Sequence, residues 1–316
     1  RPLRGSTVLD LGCGYGTTTA ALAKFQPSRI IAVDNSPAMT DLMRRVFLEE
    51  TDLAAWLAGS GAEGILGDLY AGTLAHLQQR REDFRRGIFR RRGGDLLVKT
   101  LSVLDLPSGV GGQVDAVVAN NMLHWPVNQQ RQELETAYPG ESFLSIAERA
   151  ARRVLRAISG VRRPDGIIVV QEPKDFIVLD DSAREADAEV HTGTANPVYI
   201  RINTIFNRLL KEQFGIERAV PKSSPLFPVN QFTHWCESEG FAVLGVSQME
   251  NRRHLDPIDW CRVRFPLWLG NVKIPFEAKI ALGRSVMNEA RTTIPLKERL
   301  AATPTHQSFY LCLRRR

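Results

Sequence analysis

The chain has 316 residues, of which 43% are hydrophobic and 24% are charged, a composition typical of soluble globular proteins. No apolar run reaches the roughly 20 residues that cross a membrane, so the sequence predicts no membrane partner. The cysteine usage described next predicts a cytoplasmic location. The net charge is +6, but residues 80–92 hold seven arginines against two acids and supply +5 of it. A basic balance that comes from one cluster does not predict a broad surface for nucleic acid.

The cysteines and the first residues bear on the type of protein. Cys13, Cys236, Cys261 and Cys312 are scattered, without a C-x-x-C pair. This spacing predicts neither a zinc site nor a disulfide framework, and we expect no metal. The chain starts on an arginine and enters its first strand within a few residues, so we expect that an N-terminal segment is missing.

The first predicted elements are a strand, a glycine-rich turn and a helix. Residues 7–11 are an apolar strand that runs into three glycines at alternate positions, and TTTAALAKF after them contains helix-forming residues. A second apolar strand, 29–34, ends on Asp34. A strand, a glycine turn, a helix and a strand that ends on an acid form the front half of a nucleotide-binding βαβ unit.

The spacing of the glycines distinguishes between nucleotides. Dinucleotide-binding proteins carry G-x-G-x-x-G, whereas here the third glycine comes one residue early. The form D-x-G-C-G-x-G resembles motif I of the class I S-adenosylmethionine (SAM)-dependent methyltransferases and consists of Asp10, Gly12, Cys13, Gly14 and Gly16. SAM has an ammonium and a sulfonium but no phosphate, so an acid beside the turn suits SAM better than a pyrophosphate.

Further along the chain, predicted strands and helices alternate. Helix-forming residues fill 41–60 and 69–92, which predicts an inserted helical segment before the third strand. The later predicted elements are strand three within 95–107, strand four at 114–120, a helix at 141–158, a turn at Asp165–Gly166, strand five at 167–173, a helix and strand six at 231–246 with Gly240 between them, and a closing strand at 306–316.

This order resembles the methyltransferase sheet. The fold class that the resemblance implies is α/β: a Rossmann-like sheet of seven mostly parallel strands with an antiparallel last strand, in one domain over residues 1–316. Three insertions are expected, at about 50–94, 174–230 and 251–305. The first is helical and basic, the second is a cap over the substrate, and the third is a cap or an extension.

The resemblance also implies which residues bind SAM and its product S-adenosylhomocysteine. Asp10, Gly12, Gly14 and the main chain at Cys13 and Tyr15 are expected at the methionine end. Around the rest of the cofactor, Asp34 is expected at the ribose, and the adjacent Asn35 is also expected among the cofactor-binding residues. Ser102 and Val103 are expected at the edge of the adenine, and Met39 either packs on the adenine or is an ordinary core residue of its helix. The Asn120 carbonyl is expected to accept from the ammonium. Ser102 stands where the family has an acid.

The segment after strand four points to the acceptor. N-x-L-H-W there resembles the corresponding segment of the trans-aconitate and juvenile hormone acid methyltransferases, which esterify small carboxylic acids. His124 is either a general base or a hydrogen-bonding partner of a carboxylate substrate, or it only caps or packs. Trp125 is expected to form a wall of the pocket. Glu172, after strand five, either orients the substrate or caps a strand.

The sequence therefore predicts a SAM-dependent methyltransferase that acts on a small organic acceptor, at a carboxylate oxygen first, a hydroxyl next and an amine third. One alternative is an RNA or carrier-bound substrate that docks on the arginines of 80–92, since that cluster would suit an anionic partner. Another is a methyltransferase-like binding module without activity, which the change at Ser102 keeps open. The oligomeric state is not predicted.

Overall fold

The computed structural model describes residues 3–60, 69–120, 122–173, 197–217, 229–252, 256, 258, 272–301 and 305–316. These residues contain a seven-stranded sheet with the strand order β3-β2-β1-β4-β5-β7-β6. The strands are β1 Thr7–Leu11, β2 Arg29–Asp34, β3 Asp95–Thr100, β4 Val114–Asn120, β5 Arg162–Pro173, β6 Phe241–Arg252 and β7 Thr305–Arg315. Neighbours among β1 to β5 are parallel, and β7 is antiparallel to both β5 and β6. The predicted fold class is confirmed.

Helices cover the sheet and fill the segments between strands. The described helices are α1 Thr17–Ala23, α2 Pro37–Phe47, α3 Leu53–Gly59, α4 Leu69–Arg86, α5 Ile88–Arg91, α6 Leu106–Gly109, α7 His124–Ala137, α8 Phe143–Val161, α9 Pro197–Phe214, α10 Val229–Ser238, α11 Phe276–Thr293 and α12 Leu296–Ala301. Side-chain caps start several of them, as on α2, where the Ser36 hydroxyl accepts from the Met39 N–H at 3.4 Å and Pro37 takes the first helical position. Within the described residues, no helix is long and apolar enough to cross a membrane.

Several element boundaries differ from the sequence prediction, and side-chain contacts explain two of them. Strand three ends at Thr100, because Ser102 caps a short 3-10 helix, Val103–Asp105, by accepting from the Leu104 N–H. Strand five begins at Arg162 instead of 167. The buried Arg162 guanidinium donates to the carbonyl oxygens of Pro164 and Gly166 at 2.9 and 2.8 Å. The residues predicted as a turn are therefore part of the strand, whose pairing with β4 is irregular at its start.

The strand order places a ligand crevice. The chain proceeds from β1 outward to β2 and β3, and then crosses back to β4 on the other side of β1. Ligands of open α/β sheets bind outside the carboxyl ends of the strands at such a switch point. The register sets Leu11, the last residue of β1, level with Val33 and Ala119. The residues that follow on all three strands therefore meet at one edge.

The first predicted insertion packs onto the βαβ unit through an aromatic cluster. Phe84 of α4 meets Phe47 of α2 edge to face, with ring centroids 4.8 Å apart, and Phe89 of α5 lies 5.6 Å from Phe84. All three rings are buried. Helices in this segment are therefore part of the core beside β1 and β2 rather than a separate appendage.

A second core lies outside the sheet. Helices α9 and α11 pack on one another through fully buried residues, including Phe206, Leu210, Leu282 and Val286. The two helices belong to the segments that follow β5 and β6. Because β7 is antiparallel to both strands, β5 and β6 point the same way, and both segments leave the sheet at the edge where the other parallel strands end.

Candidate functional site

The glycine turn between β1 and α1 is built from backbone angles that favour glycine. Gly12, Gly14 and Gly16 have φ values of 70°, 52° and 87°, in the left-handed region that other residues rarely adopt. A Cβ on Gly12 would lie 2.5 Å from the Met122 Cβ, and one on Gly16 would lie 2.1 Å from Cε2 of Phe47. A Cβ on Gly14 would meet nothing within 4 Å. Close packing thus requires glycine at positions 12 and 16, while Gly14 borders open space.

Most of the turn's N–H groups already donate within the protein. Gly12 and Cys13 both donate to the Val33 carbonyl, at 2.8 and 3.0 Å, and Gly16 donates to the Cys13 carbonyl at 2.8 Å. The Gly14 N–H donates to the Asp34 carboxylate at 2.9 Å. A pyrophosphate needs free N–H donors, so the turn itself offers it little. An ammonium needs acceptors instead, which agrees with the predicted preference for SAM.

Asp34 joins the two turns of the βαβ unit. Its Oδ2 accepts from the Gly14 N–H, and its Oδ1 accepts from the Ser36 N–H at 2.9 Å. Each carboxylate oxygen accepts more than one hydrogen bond, and the side chain is half-buried. Asp34 therefore holds the turn in place and keeps lone pairs for vicinal hydroxyls.

Asp10 lies completely beneath the first turn of α1, with 0% exposure. The Thr19 hydroxyl donates to its Oδ2, while its Oδ1 has no hydrogen-bond partner. Burial, with the Asp34 charge adding to it, raises the pKa of Asp10 to about 7. The sequence predicted Asp10 at the methionine end of SAM; the structure gives it an unpartnered oxygen that suits a cation but no exposure to solvent.

Cys13 and Tyr15 differ in exposure. The Cys13 thiol is buried, and burial raises its pKa above the ordinary value, so the side chain is a packing group. Tyr15 is 43% exposed. Its ring lies under the guanidinium of Arg80, whose central carbon is 5.0 Å from the ring centroid. Only Tyr15 of the pair presents a side chain at the turn surface.

Asn35 and the residues predicted at the adenine lie after the ends of β2 and β3 or in the first turn of α2. Asn35 is exposed and Met39, in the first turn of α2, is half-buried. Ser102 is half-buried and Val103 is buried directly after it. The Leu101 N–H donates to the Asp34 carbonyl at 2.9 Å, which fixes the two strand ends relative to each other. The fold thus brings these residues to the edge that Asp34 occupies.

On the other side of β1, β4 ends on Asn120. Its side-chain amide donates to the Thr18 hydroxyl of α1 at 2.9 Å. His124 and Trp125 follow as the first two residues of α7, so the structure places them at the same edge of the sheet. Their side chains lie outside the described part of the chain, as does all of Asn121.

Glu172 has a role that sequence reasoning left open. Its side chain is 1% exposed, and its Oε1 accepts from the N–H groups of Met122 and Leu123 at 2.9 and 2.5 Å. These N–H groups precede the first turn of α7. Glu172 therefore secures the loop that leads to His124, which corresponds to the capping alternative; a direct contact with substrate stays a prediction.

The arginines of residues 80–92 make contacts within the protein. Arg81 donates to three carbonyl oxygens, of Arg45, Val46 and Thr51, at 2.6 to 3.1 Å. Arg85 pairs with Glu50 at 3.1 Å. Three more arginines of the cluster have partners, namely Arg86 with Glu82, Arg90 with the Gly94 carbonyl and Arg92 with Gln26. Arg81 and Arg85 therefore fix the first insertion to the end of α2 and the residues that follow it, while the contacts of Arg86 and Arg90 are local.

Sequence reasoning missed three contacts of the site. The Thr19 hydroxyl donates to Asp10. Met122 packs on Gly12, and Arg80 lies over the ring of Tyr15. The threonine run directly after Gly16 was a usable signal, because a hydroxyl one turn into α1 can reach back to β1. The contacts of Met122 and Arg80 depend on tertiary packing and have no local signal.

Comparisons with known proteins agree with this geometry. Residues 8–60 match a family model described as a methyltransferase domain. A cypemycin N-terminal methyltransferase from Streptomyces is 47% identical over 49 residues, which are 16% of this chain and 20% of that protein. The chain thus matches only about a fifth of the length of that curated relative.

Solved structures give broader but weaker similarities. A SAM-dependent methyltransferase from Methanosarcina mazei is 9% identical with a TM-score of 0.44, covering 99% of this chain and 93% of that one. YjhP from E. coli is 13% identical with a TM-score of 0.42, over 100% and 87% of the two chains. Similarity at this level does not establish a shared activity.

The matched segment contains most of β1, the glycine turn, α1 and β2, and the sheet has the seven strands and the antiparallel last strand that the resemblance implied. The predicted resemblance to the class I SAM-dependent methyltransferases is confirmed by the methyltransferase-domain match over residues 8–60 and by the short segment shared with the Streptomyces relative. SAM is the methyl donor that this class implies.

The first prediction concerns Asp10. Its pKa of about 7 in the folded protein exceeds the ordinary 3.8, so the folded state binds more protons than the unfolded state between these values. The stability of the protein should therefore fall as pH rises from about 4 to about 7. Asp10→Asn removes this titration and should gain about 2 to 3 kcal/mol relative to the wild type between pH 5 and pH 8.

Urea unfolding at both pH values measures this difference. Asp95→Asn is the control, because Asp95 sits in an exposed ion pair with Arg29 and its replacement should leave the pH dependence unchanged. Parallel stability profiles for the wild type and Asp10→Asn would contradict the prediction.

Proposed function

We propose that this chain transfers the methyl group of SAM to a small organic acceptor, at a carboxylate oxygen first and a hydroxyl oxygen next. The observation that carries the proposal is the convergence of the glycine turn, Asp34 and the end of β4 on one edge of the sheet. The glycine turn and Asp34 lie within residues 8–60, which match a methyltransferase domain. The acceptor class rests on the N-x-L-H-W resemblance.

The residues at this edge fit SAM in two respects. Gly14 borders open space at a positive φ, which allows a ligand to lie against the main chain. Asp10 keeps a buried, unpartnered oxygen, an arrangement that is costly unless a donor or a cation approaches it. Bound SAM supplies a methyl group already activated by the adjacent sulfonium, so the protein has mainly to align the acceptor and to exclude water.

Each predicted cofactor residue keeps a defined task in the proposal. Asp34 accepts hydrogen bonds from the ribose hydroxyls with the lone pairs that the turn leaves free. Met39 packs on the adenine, with Ser102 and Val103 at its edge. The Asn120 carbonyl accepts from the ammonium, and its side chain, bonded to Thr18, fixes the end of β4.

The acceptor side is formed by His124 and Trp125. A carboxylate acceptor is ionised at neutral pH and needs no base, whereas a hydroxyl must lose its proton. His124 therefore hydrogen-bonds an anionic acceptor in the first case and removes a proton in the second. Glu172 supports both roles, because it secures the loop before His124.

The two later insertions are proposed to cover this acceptor. They follow β5 and β6, which both end at the ligand edge, and their helices α9 and α11 share one core. A cap built from both segments would exclude water from the transfer site.

An amine is a second candidate acceptor. The Streptomyces relative is named for methylation at the N-terminus of cypemycin, and N-terminal methylation places the group on an amine. The match spans only 16% of this chain, so it supports the shared donor more than a shared acceptor. An RNA or carrier-bound substrate is disfavoured, because most arginines of 80–92 bind groups of the protein itself.

The second prediction tests the donor. SAM and S-adenosylhomocysteine should each stabilise the wild type, by about 2.7 kcal/mol at a ligand concentration 100 times the Kd. Asp34→Asn should lose most of this gain, because an amide cannot accept from two hydroxyls and two N–H groups together. Thermal shift measures the gain of each protein relative to its own ligand-free state.

The control is Asp95→Asn, at the amino end of β3 and away from the ligand edge. It should respond to both ligands as the wild type does. A wild type that SAM does not stabilise, or an equal response of Asp34→Asn, would rule out the assignment of the ribose site.

The third prediction tests the acceptor side. His124→Ala should lower kcat at least tenfold while it changes the Kd of SAM less than twofold, because the proposal assigns His124 to the acceptor and not to the donor. Methyl transfer from labelled SAM is measured with pools of small carboxylic acids, alcohols and amines. Activity confined to amines would contradict the proposed acceptor order, and an unchanged kcat would reduce His124 to a packing residue.

A further inference from the structure

The inserted helix α4 reaches the glycine turn through one arginine. Nη1 of Arg80 donates to the Thr17 hydroxyl at 3.0 Å, and its guanidinium carbon lies 5.0 Å from the centre of the Tyr15 ring. The other terminal nitrogen lies 2.6 Å from Nε2 of His76, one turn earlier on the same helix. Arg80 thus contacts the turn itself, at Tyr15, and the first residue of α1.

The same helix supports the turn from a second direction. Phe84, one turn after Arg80, packs edge to face on Phe47. Phe47 in turn occupies the space into which a Cβ on Gly16 would project, at 2.1 Å. Phe47 therefore contacts the turn at Gly16, and the Arg80 guanidinium contacts it at Tyr15.

The turn needs such support because three of its five residues, 12 to 16, are glycines at positive φ. Glycine loses more conformational freedom on ordering than any other residue, so an unsupported turn would have to be ordered by the ligand at a cost in affinity. Gly14 and Tyr15 have little packing of their own, since Gly14 borders open space and Tyr15 is 43% exposed.

Arg80 is held by these contacts rather than by dense packing. A cavity of about 400 Å³ separates α1 from the inserted helices, and Thr17, His76 and Arg80 form part of its wall.

We propose that Arg80 is a positioning residue for SAM binding. From the inserted helix α4, its contacts with the Tyr15 ring and the Thr17 hydroxyl order the glycine turn. The proposal rests on the proposed function. It gives the first insertion a role in cofactor affinity, separate from the role of the later insertions at the acceptor.

Arg80→Ala tests this role by isothermal titration of SAM. We expect the Kd of SAM to rise about fivefold or more, with KM for SAM rising in parallel and kcat at saturating SAM changing less than twofold. Arg80→Lys should give an intermediate Kd, because an ammonium can donate to Thr17 but cannot also stack on the ring as a planar guanidinium does.

The matched control is Arg85→Ala. Arg85 lies on the same helix and binds Glu50 and the Glu49 carbonyl, so its loss weakens docking of the insertion without removing a contact to the turn. The Kd of SAM should stay within about 1.5-fold of the wild type. Thermal unfolding should show similar Tm changes in Arg80→Ala and Arg85→Ala.

A double variant separates the ring contact from the rest. Arg80→Ala combined with Tyr15→Leu should bind SAM no more weakly than the weaker single variant, because both substitutions remove the same interaction.

An unchanged Kd in Arg80→Ala, equal Kd changes in Arg80→Ala and Arg85→Ala, or full additivity in the double variant would overturn the proposal while leaving the proposed function intact. A wild type that does not bind SAM would overturn the proposed function, and this inference with it.

Discussion

The site depends on one carboxylate that bridges two turns. Asp34, at the end of β2, accepts from the Gly14 N–H of one turn and from the Ser36 N–H of the next. Both bonds are charge-assisted, and they fix the glycine turn relative to the neighbouring strand end. The open space over Gly14 and the free lone pairs of Asp34 therefore face the same edge, and a ligand with a sugar and a cationic chain can use both.

The surrounding structure reinforces that arrangement from three sides. Met122, in the loop after β4, packs on Gly12, and Phe47 packs on Gly16. Arg80 adds a contact from an insertion that lies far away in the sequence. The first insertion therefore contacts the glycine turn through Arg80. In the proposed function, the segments after β5 and β6 are assigned to the acceptor side.

Local pattern was sufficient for the frame of the fold and for the positions of the glycine turn and Asp34 at its edge. The apolar runs of β1, β2 and β4, the glycine spacing and the terminal acid of β2 predicted the βαβ unit, and parallel strand ends necessarily share an edge. The start of β5 could not be predicted, because Arg162 ties the expected turn into the strand through carbonyl contacts that no local signal shows. The arginines of 80–92 suggested an anionic partner, whereas their partners are groups more than 30 residues away in several cases.

The most direct test of the central claim is the affinity of Gly14→Ala for SAM. A methyl group at this position meets no protein atom within 4 Å, so the fold should persist with a loss of roughly 1 to 2 kcal/mol from the left-handed backbone. Gly111→Ala is the matched control, with a φ of 75° and equally open surroundings in a loop away from the ligand edge. The account predicts that Gly14→Ala loses SAM binding at least tenfold while Gly111→Ala retains it; equal affinity in the two variants would contradict the claim that SAM lies against this turn.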